Sequence, residues 1–237
     1  MRVHLVEIHD LPFCPPSLRD ALTDFLAFSE NLAGAYDPVA PLLRRAVERA
    51  GARRIIDLCS GAGGPWRRLA AHVGVPVVLT DQYPHDGDVR TVDARAVPEA
   101  LDGFRTIFTA FHHFRPVEAR AILADAVQRG QGIGVFEIAR RAPLEIAVVG
   151  LTWLGTLASV PFIRPWRWSR FAWTYLPPVL PLLGTFDGVV SCLRTYSQPE
   201  LRDLVRGLDT YDWDIGGFRG RWSPLRGSYL IGVPKLS

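Results

Sequence analysis

Two adjacent histidines, His112 and His113, have side chains that could move a proton near neutral pH. Free imidazole has a pKa of about 6.5, so either ring could take a proton from a hydroxyl group or an activated carbon. The pair follows an apolar run, Thr106–Phe111, that is typical of a buried strand. Ligands of open α/β sheets bind beyond the carboxyl ends of the strands, so this position is compatible with an acid/base role. The alternative is that one histidine bonds to backbone and shapes a pocket.

A second set of candidate residues lies where a predicted strand turns into a helix. The run Arg54–Leu69 reads RIIDLCSGAGGPWRRL. Its glycines are Gly61, Gly63 and Gly64. Pro65 suits the first helical turn, where its missing N–H costs nothing, and the glycines let a ligand approach bare backbone at a helix N-terminus. Trp66 stands where the dinucleotide fingerprint has its third glycine, which weakens that interpretation.

A carboxylate follows the next predicted strand. Val77–Thr80 is apolar and ends at Asp81, about 20 residues beyond Gly61, the interval at which an acidic residue reaches a ribose in Rossmann-like sheets. A carboxylate can accept hydrogen bonds from both ribose hydroxyls. The alternative is that Asp81 only starts the turn before Pro84.

The third strand is predicted to be reduced. The connection Gln82–Asp88 is short and contains proline and glycine, whereas parallel strands are usually joined by about a dozen residues or more. Val89–Val92 still leads into Asp93. This aspartate could contact a ligand or lie in a surface turn.

Two of these segments carry a family resemblance. The run RIIDLCSGAGG resembles the first motif of the class I S-adenosylmethionine (SAM) dependent methyltransferases, an acidic residue followed by GxGxG, with Cys59 in place of the first glycine. The segment FHHF at residues 111–114 resembles the motif that follows the fourth strand in small-molecule members of the family. The resemblance implies SAM as cofactor. The residues that it assigns to cofactor binding are Asp57, Cys59, Gly61, Gly63, Asp81, Gln82, Asp93, Ala94 and Phe111.

The resemblance also implies where an acceptor binds. It places His112 and His113 as catalytic residues between the methionine part of the cofactor and the acceptor, and Asp93 at the adenine amino group. Segments before the first strand often fold over the active site in this family. The residues expected to contact the substrate are Phe28, Tyr36, Trp66, Arg194 and Tyr196. For each of these, simple packing against the sheet is the alternative.

An apolar segment interrupts the predicted core. Hydrophobic residues make up 48% of the chain and mean hydropathy is +0.10, with the excess between Leu144 and Val190. Pro143–Ile163 approaches the roughly 20 residues of a membrane span, and a basic and aromatic cluster at residues 164–173 suits the headgroup region. The prolines of Tyr175–Gly184 predict that no second regular helix follows. A lid over a lipophilic acceptor, a monotopic membrane foot formed by residues 144–190 and a dimer interface are all compatible with this pattern.

Charge and cysteine content exclude some classes of function. The net charge is +3, and the basic residues are spread over the chain and are almost all arginine, which argues against a nucleic acid partner. The Asn/Asp-Pro-Pro-aromatic motif of nucleic-acid amino methyltransferases is also missing. The three cysteines, Cys14, Cys59 and Cys192, have no metal-ligand spacing, so no metal and a reducing compartment are expected. The N-terminus lacks the pattern of a signal peptide, so we expect a cytoplasmic protein, with the inner face of a membrane as an alternative location.

The remaining strands complete an α/β fold. Ile133–Ala139 reads as a fifth strand, whose Glu137 is expected to touch a substrate or to pair with an arginine such as Arg140. Tyr211–Phe218 and Ser228–Val233 predict a closing antiparallel pair. The predicted fold class is therefore a Rossmann-like, mostly parallel sheet with helices on both faces, an antiparallel C-terminal pair and an apolar helical insertion.

This pattern predicts four regions. They are an N-terminal helical lid (1–50), a SAM-binding core (51–142), the apolar lid or membrane-contacting insertion (143–195) and the C-terminal completion of the sheet (196–237). The leading function is SAM-dependent transfer of a methyl group to a small, lipophilic or aromatic acceptor. The alternatives are a protein of the same fold that binds or rearranges a lipid without methylating it, and a membrane-associated interaction protein.

Overall fold

The described residues of this computed structural model, 2–84 and 89–235, form a seven-stranded mixed sheet with the strand order β3-β2-β1-β4-β5-β7-β6. The strands are β1 (Ile55–Leu58), β2 (Val77–Asp81), β3 (Arg90–Thr91), β4 (Phe104–Phe108), β5 (Ile133–Glu137), β6 (Tyr211–Arg219) and β7 (Arg226–Pro234). Strands β1 to β5 are parallel, and β7 runs antiparallel to both β5 and β6. The predicted fold class is confirmed.

Nine α-helices are formed by the described part of the chain. They are α1 (Pro16–Leu32), α2 (Ala40–Arg49), α3 (Trp66–Val73), α4 (Pro116–Gln128), α5 (Pro143–Val149), α6 (Thr152–Ser159), α7 (Trp168–Tyr175), α8 (Val179–Arg194) and α9 (Gln198–Val205). Short 3-10 turns cover Ile8–Asp10, Asp37–Val39, Phe111–His113 and Val160–Phe162. A capping box of Ser197 and Glu200 begins α9, since each side chain satisfies an N–H that the helix leaves unpaired.

Three hydrophobic clusters hold these elements together. One face of the sheet is covered by α4 and α9, whose Leu123 and Leu201 lie in one buried cluster with β1 and β4. The other face is covered by α2 and α3, through Leu43 and Leu69. The third cluster joins α1 to the insertion, and its members include Leu22 of α1. The sheet therefore has a helical layer on both faces, while α1 is anchored on the insertion.

Two expectations differ from the structure in detail, and a third is met. Strand β3 is indeed short, although part of the connection before it, residues 85–88, lies outside the described residues. Strand β4 ends at Phe108 rather than at Phe111, which instead begins a 3-10 turn. The prediction that prolines prevent a second helix in the insertion was wrong. Pro177 and Pro178 precede α8, and Pro181 lies in its first turn, where backbone N–H groups have no intrahelical partner.

Candidate functional site

A cavity of about 100 Å³ lies where the carboxyl ends of β1 and β4 meet helix α1 and the glycine turn. Residues from each element line it, including Thr23, Ala27 and Glu30 of α1, Cys59, Ser60 and Gly61 of the turn, and Thr109 after β4. Its position agrees with the rule that ligands of open α/β sheets bind at this end of the strands. Three of the predicted cofactor residues, Asp57, Cys59 and Gly61, contribute to its wall.

The glycine turn has the backbone that its sequence predicts. Gly61 and Gly63 have φ angles of +52° and +86°, a region that suits glycine. Cys59 also has a positive φ, +59°, which costs a residue with a side chain about 1 kcal/mol. The resemblance expects a glycine at that position, and the conformation explains why. A Cβ on Gly61 would lie 3.2 Å from Cγ2 of Thr23, so α1 packs directly over the turn.

Asp81 is tied to the glycine turn. Its Oδ2 accepts a hydrogen bond from the N–H of Gly61 at 2.9 Å, and its Oδ1 accepts one from the N–H of Tyr83 at 2.8 Å. An ionised carboxylate has about four acceptor sites, so each oxygen keeps capacity for a ligand hydroxyl. The neighbouring Gln82 is exposed and does not line the cavity.

Asp93, the predicted adenine contact, has its carboxylate occupied by an arginine. The Asp93 carboxylate is bound by the guanidinium of Arg95, with Nη2 2.8 Å from Oδ2 and Nε 3.0 Å from Oδ1. This hydrogen bonding lowers the pKa of Asp93. Ala94 is buried in the core cluster under α4, and neither residue lines the cavity.

Asp57 is a buried carboxyl at the end of β1. Its Oδ2 accepts from the Ser60 hydroxyl and its Oδ1 from the Thr106 hydroxyl, both at 2.6 Å. Burial raises the pKa of Asp57 to about 6, although both hydroxyls oppose the shift. This network fixes the strand end beneath the turn, so Asp57 supports the site as well as lining it.

Glu30 lies opposite the glycine turn at the end of α1. Its Oε1 accepts a hydrogen bond from the Thr109 hydroxyl at 3.0 Å, and that hydroxyl is bonded in turn to the hydroxyl of Tyr36. Burial raises the pKa of Glu30 to about 7, and the negative charges of Glu137 and Asp57 add to the shift against the opposing Thr109 hydrogen bond. A cavity carboxylate with such a pKa can exchange a proton near neutrality.

Tyr36 has a supporting position in this network. Its side chain is 1% exposed and packs edge-on against Phe108, with ring centroids 5.0 Å apart. Thr109 has a φ of +49°, an uncommon conformation for a β-branched residue. Tyr36 thus lies behind the cavity wall instead of lining it, and the prediction that it contacts an acceptor directly is corrected.

His112 is held between two carboxylates. Its Nδ1 lies 2.8 Å from Oε2 of Glu137, its backbone N–H donates to Oε1 of Glu137 at 3.0 Å, and its Nε2 lies 3.4 Å from Oε1 of Glu7. Burial lowers the pKa of His112, but Glu137 and Glu7 outweigh this and hold it at about 10. The ring is therefore protonated at neutral pH and cannot act as the predicted base. Glu137 binds this ring, while Arg140 pairs with Glu145 instead.

His113 faces the N-terminal arm, which is the segment before α1 (residues 2–15), and does not line the cavity. Its Nδ1 lies 3.0 Å from Oδ2 of Asp10, and its Nε2 lies 3.7 Å from Oε2 of Glu7. Burial and the charge of His112 lower its pKa. The acid/base role expected for this histidine is corrected too, because it lies at the arm rather than at the glycine turn.

A cluster of ionisable groups surrounds these rings. Glu7, His9, Asp10 and His113 could offer ligand atoms within 4.8 Å of one another. The guanidinium of Arg194 already provides a cation there, with Nη1 3.0 Å from Oε1 of Glu7 and 3.5 Å from Oδ2 of Asp10. Arg194, 4% exposed, fastens the N-terminal arm and is not the predicted substrate ligand.

The other predicted contacts are structural. The Tyr196 hydroxyl donates to the carbonyl of Phe114 at 2.7 Å, and Arg2 lies over the Tyr196 ring. Trp66 packs edge-on against Phe108 with ring centroids 5.5 Å apart. Phe28 packs on the cluster between α1 and the insertion, and Phe111 is fully buried in the core. Among the described residues these side chains do not line the cavity.

Sequence reasoning missed Glu30, Thr23 and Thr109. The first two carry a signal, because Thr23, Ala27 and Glu30 are spaced at i, i+4 and i+7 and so share one face of α1. The side chains on that face are small or polar, whereas the helix is recognised in the sequence from the apolar residues of another face. Thr109 carries no such signal, since its backbone conformation and its partners depend on the fold.

Comparison with known proteins gives structural matches only. No family model matches the sequence, and neither does any curated protein. Human N-acetylserotonin methyltransferase in complex with SAM aligns at 13% identity over 89% of this chain and 56% of that one, with a TM-score of 0.47. A SAM-dependent methyltransferase from Aquifex aeolicus aligns at 13% identity over 85% and 92% of the two chains, with a TM-score of 0.45.

A third structure, from Rhodobacter sphaeroides, is provisionally described as a Zn-dependent alcohol dehydrogenase. It aligns at 10% identity over 94% of this chain and 100% of that one, with a TM-score of 0.52. The present chain spans little more than half the length of the human enzyme. At these identities the likeness concerns the fold alone.

Proposed function

We propose that this chain is a SAM-dependent methyltransferase that acts on a small, lipophilic or aromatic acceptor. The observation that carries the proposal is the Asp81 carboxylate, which is bound at 2.9 Å to the N–H of Gly61, a residue that lines the cavity. Across this cavity lies a second carboxyl group, that of Glu30. The turn and Asp81 would hold a nucleoside, and Glu30 would serve the acceptor.

The donor set suits SAM. Asp81 would accept the ribose hydroxyls, and the backbone N–H groups of the turn before α3 would face the carboxylate of the methionine part. A Cβ on Gly64 would meet nothing within 4 Å, so there is open space beside the backbone there. The cavity, about 100 Å³, is smaller than the roughly 300 Å³ or more of typical ligand pockets. Binding would therefore move α1 outward, because Thr23 and Glu30 form that wall.

SAM supplies an activated methyl group on a sulfonium sulfur. The residues of this chain would align the acceptor in a cavity whose walls include Leu26 and Phe108, since exclusion of water favours such a displacement. The glycine turn and Asp81 would hold the cofactor, whose sulfonium would supply the methyl group to the acceptor and leave as a neutral thioether. The carboxylate of Glu30 would take the proton that the acceptor loses, while Thr109 holds this carboxylate in place by the 3.0 Å hydrogen bond.

The cofactor part is tested by calorimetric titration with S-adenosylhomocysteine. We expect binding to the wild type and a loss of about 10- to 100-fold for Asp81→Asn, because hydrogen bonds to a charged group contribute about 1.5–3 kcal/mol. The matched control is Asp209→Asn at an exposed position, which should bind like the wild type. Absence of binding to the wild type, or equal binding by both variants, would refute the assignment.

The transfer part is tested with radiolabelled SAM and alkylphenol acceptors. We expect transfer by the wild type and a 10²- to 10⁴-fold lower kcat for Glu30→Gln, the usual contribution of a general base. Unchanged binding of S-adenosylhomocysteine would show that the variant is folded. Binding without transfer to phenols or quinols would instead favour a non-methylating protein.

A further inference from the structure

The insertion carries an unusual share of the exposed apolar surface. Of the twenty large hydrophobic side chains that are exposed among the described residues, eleven lie between Leu144 and Phe186. Trp168 and Leu176 are 85% and 81% exposed, and Trp166 and Phe162 are 59% and 69% exposed. We call these eleven exposed side chains the apolar surface. A concentration of this kind marks a site of interaction rather than ordinary surface composition.

Contacts join the aromatic members of the apolar surface to one another and to α6. The Phe171 ring lies 5.6 Å from Trp166, 6.1 Å from Trp168 and 6.2 Å from Tyr175, measured between centroids. The Tyr175 hydroxyl donates to the carbonyl of Leu157 on α6 at 2.7 Å, which joins α7 to α6. The residues around Trp166 and those on α6 therefore belong to one region.

Positive charge prevails in this region, since Glu145, the one acidic residue between Leu144 and Phe186, is buried and pairs with Arg140. Residues 146–186 contain three arginines, Arg164, Arg167 and Arg170, and neither aspartate nor glutamate. Arg170 is buried and pairs with Asp24 of α1. Arg164 is exposed and lies over the Trp166 ring, with Cζ 4.4 Å from the centroid, and no carboxylate of the described residues is within ion-pair distance of it. An exposed arginine beside tryptophans complements the anionic headgroup layer of a bilayer.

The same region is folded back on the protein. By length and composition the stretch Pro143–Phe162, with a mean hydropathy of 1.5, could cross a membrane. Helices α7 and α8, which are bent by 79° relative to each other, meet the same criterion when they are taken together as one span. However, the hydroxyls of Thr152 on α6 and Thr185 on α8 lie 3.3 Å apart, so these helices pack together. Asp187 of α8 also accepts the N–H of Ile8 at 2.7 Å. These contacts hold the insertion against the rest of the protein, as expected for a surface that lies on a membrane and not for a helix that spans it.

Helix α1 connects this region to the cavity. One side of α1 packs on the insertion, through Leu22 and the Asp24–Arg170 ion pair, and another side lines the cavity with Thr23 and Glu30. We propose that the apolar surface docks on an anionic lipid bilayer, so that the cavity takes its acceptor from the lipid phase. The source of the acceptor rests on the proposed function, whereas the docking itself does not.

The test is flotation with vesicles of phosphatidylcholine alone and of phosphatidylcholine with phosphatidylglycerol, without cofactor. We expect the wild type to float with the anionic vesicles. The double variant Trp166→Ser/Trp168→Ser should bind at least about tenfold more weakly, because affinity scales with the apolar area inserted. Arg164→Gln should bind anionic vesicles about fivefold more weakly and neutral vesicles unchanged, as expected for one charge near the surface.

The chain offers a matched control outside the insertion. Arg221 lies over the ring of Trp222, which is 71% exposed, with Cζ 5.3 Å from the centroid. Arg221→Gln/Trp222→Ser should float like the wild type. Equal losses in the control and the Trp166 variant, or no flotation of the wild type, would overturn the proposal. So would a stable dimer in sedimentation that the Trp166 variant dissociates while flotation is unchanged. Failure of the methyltransferase proposal would appear separately, as lack of S-adenosylhomocysteine binding.

Discussion

The Glu30 carboxyl should make the stability of the protein depend on pH. Burial raises its pKa from 4.5 to about 7 in the folded protein. Below pH 4.5 the carboxyl is protonated in both the folded and the unfolded chain, so it adds no pH dependence. Between 4.5 and about 7 the folded protein keeps a proton that the unfolded chain releases, so the free energy of unfolding falls as pH rises. Above about 7 the loss is complete.

The size of this loss follows from the two pKa values. At about 1.4 kcal/mol per pH unit, the change from 4.5 to about 7 amounts to about 3 kcal/mol. Glu30→Gln keeps an oxygen that can accept the Thr109 hydroxyl but cannot ionise. The variant should therefore match the wild type near pH 4.5 and exceed its free energy of unfolding by about 3 kcal/mol at pH 8.

Urea denaturation from pH 4.5 to pH 8.5, followed by circular dichroism, measures this difference. Glu99→Gln, at an exposed position, is the control and should follow the wild-type curve at every pH. If the curves of Glu30→Gln and the wild type ran parallel over this range, Glu30 would ionise as in water. The carboxyl would then not be desolvated at its place in the cavity wall, and its role as a base would lose its support.

Three further predictions concern the framework of the site. Arg194→Met should lower the free energy of unfolding by about 1.5–3 kcal/mol, because the buried Glu7 carboxylate loses its hydrogen bond to a charged guanidinium while His112 remains beside it. Arg206→Met at an exposed ion pair should change the free energy of unfolding by less than about 0.5 kcal/mol, and urea denaturation compares the two. Gly220→Ala should lower the free energy of unfolding by about 1–3 kcal/mol, because the added Cβ would lie 2.6 Å from the Cα of Ala35. In Gly155→Ala, on α6, the added Cβ meets nothing within 4 Å, so this variant should be as stable as the wild type or more stable by up to about 1 kcal/mol. Equal melting temperatures of the two variants would contradict this prediction. Burial raises the pKa of the Cys192 thiol to about 12, so a disulfide reagent at pH 8 should label this cysteine only when the protein unfolds, and rapid labelling of the native protein would count against its burial.

The sheet was predictable because its signals are local. Four of the five parallel strands contain an apolar run, such as Ile55–Leu58, and end at a polar or glycine-rich turn, whereas β3 is only Arg90–Thr91. The turn after β1 was recognised from its glycine spacing, because a backbone with positive φ angles favours glycine. Asp81 was singled out from its distance along the chain, and its carboxylate accepts a hydrogen bond from the N–H of Gly61 in the structure.

The roles of the histidines were not predictable in the same way. His112 has an ordinary imidazole until Glu7 and Glu137, far apart in the sequence, lie on either side of it. Those carboxylates reverse the charge state that the sequence suggested. For Glu30, burial raises the pKa against the opposing Thr109 hydrogen bond, so an ordinary helix residue becomes a carboxyl that titrates near neutrality.

The sequence by itself therefore determined the succession of strands along the chain, the glycine turn and the apolar character of the insertion. These depend on the types and spacing of residues close together in the chain, where periodicity and backbone conformation act. Only the tertiary structure decided which ionisable groups lie at the cavity and which lie at the N-terminal arm. A pKa depends on burial and on neighbouring charges, and both are properties of residues that meet only when the chain has folded.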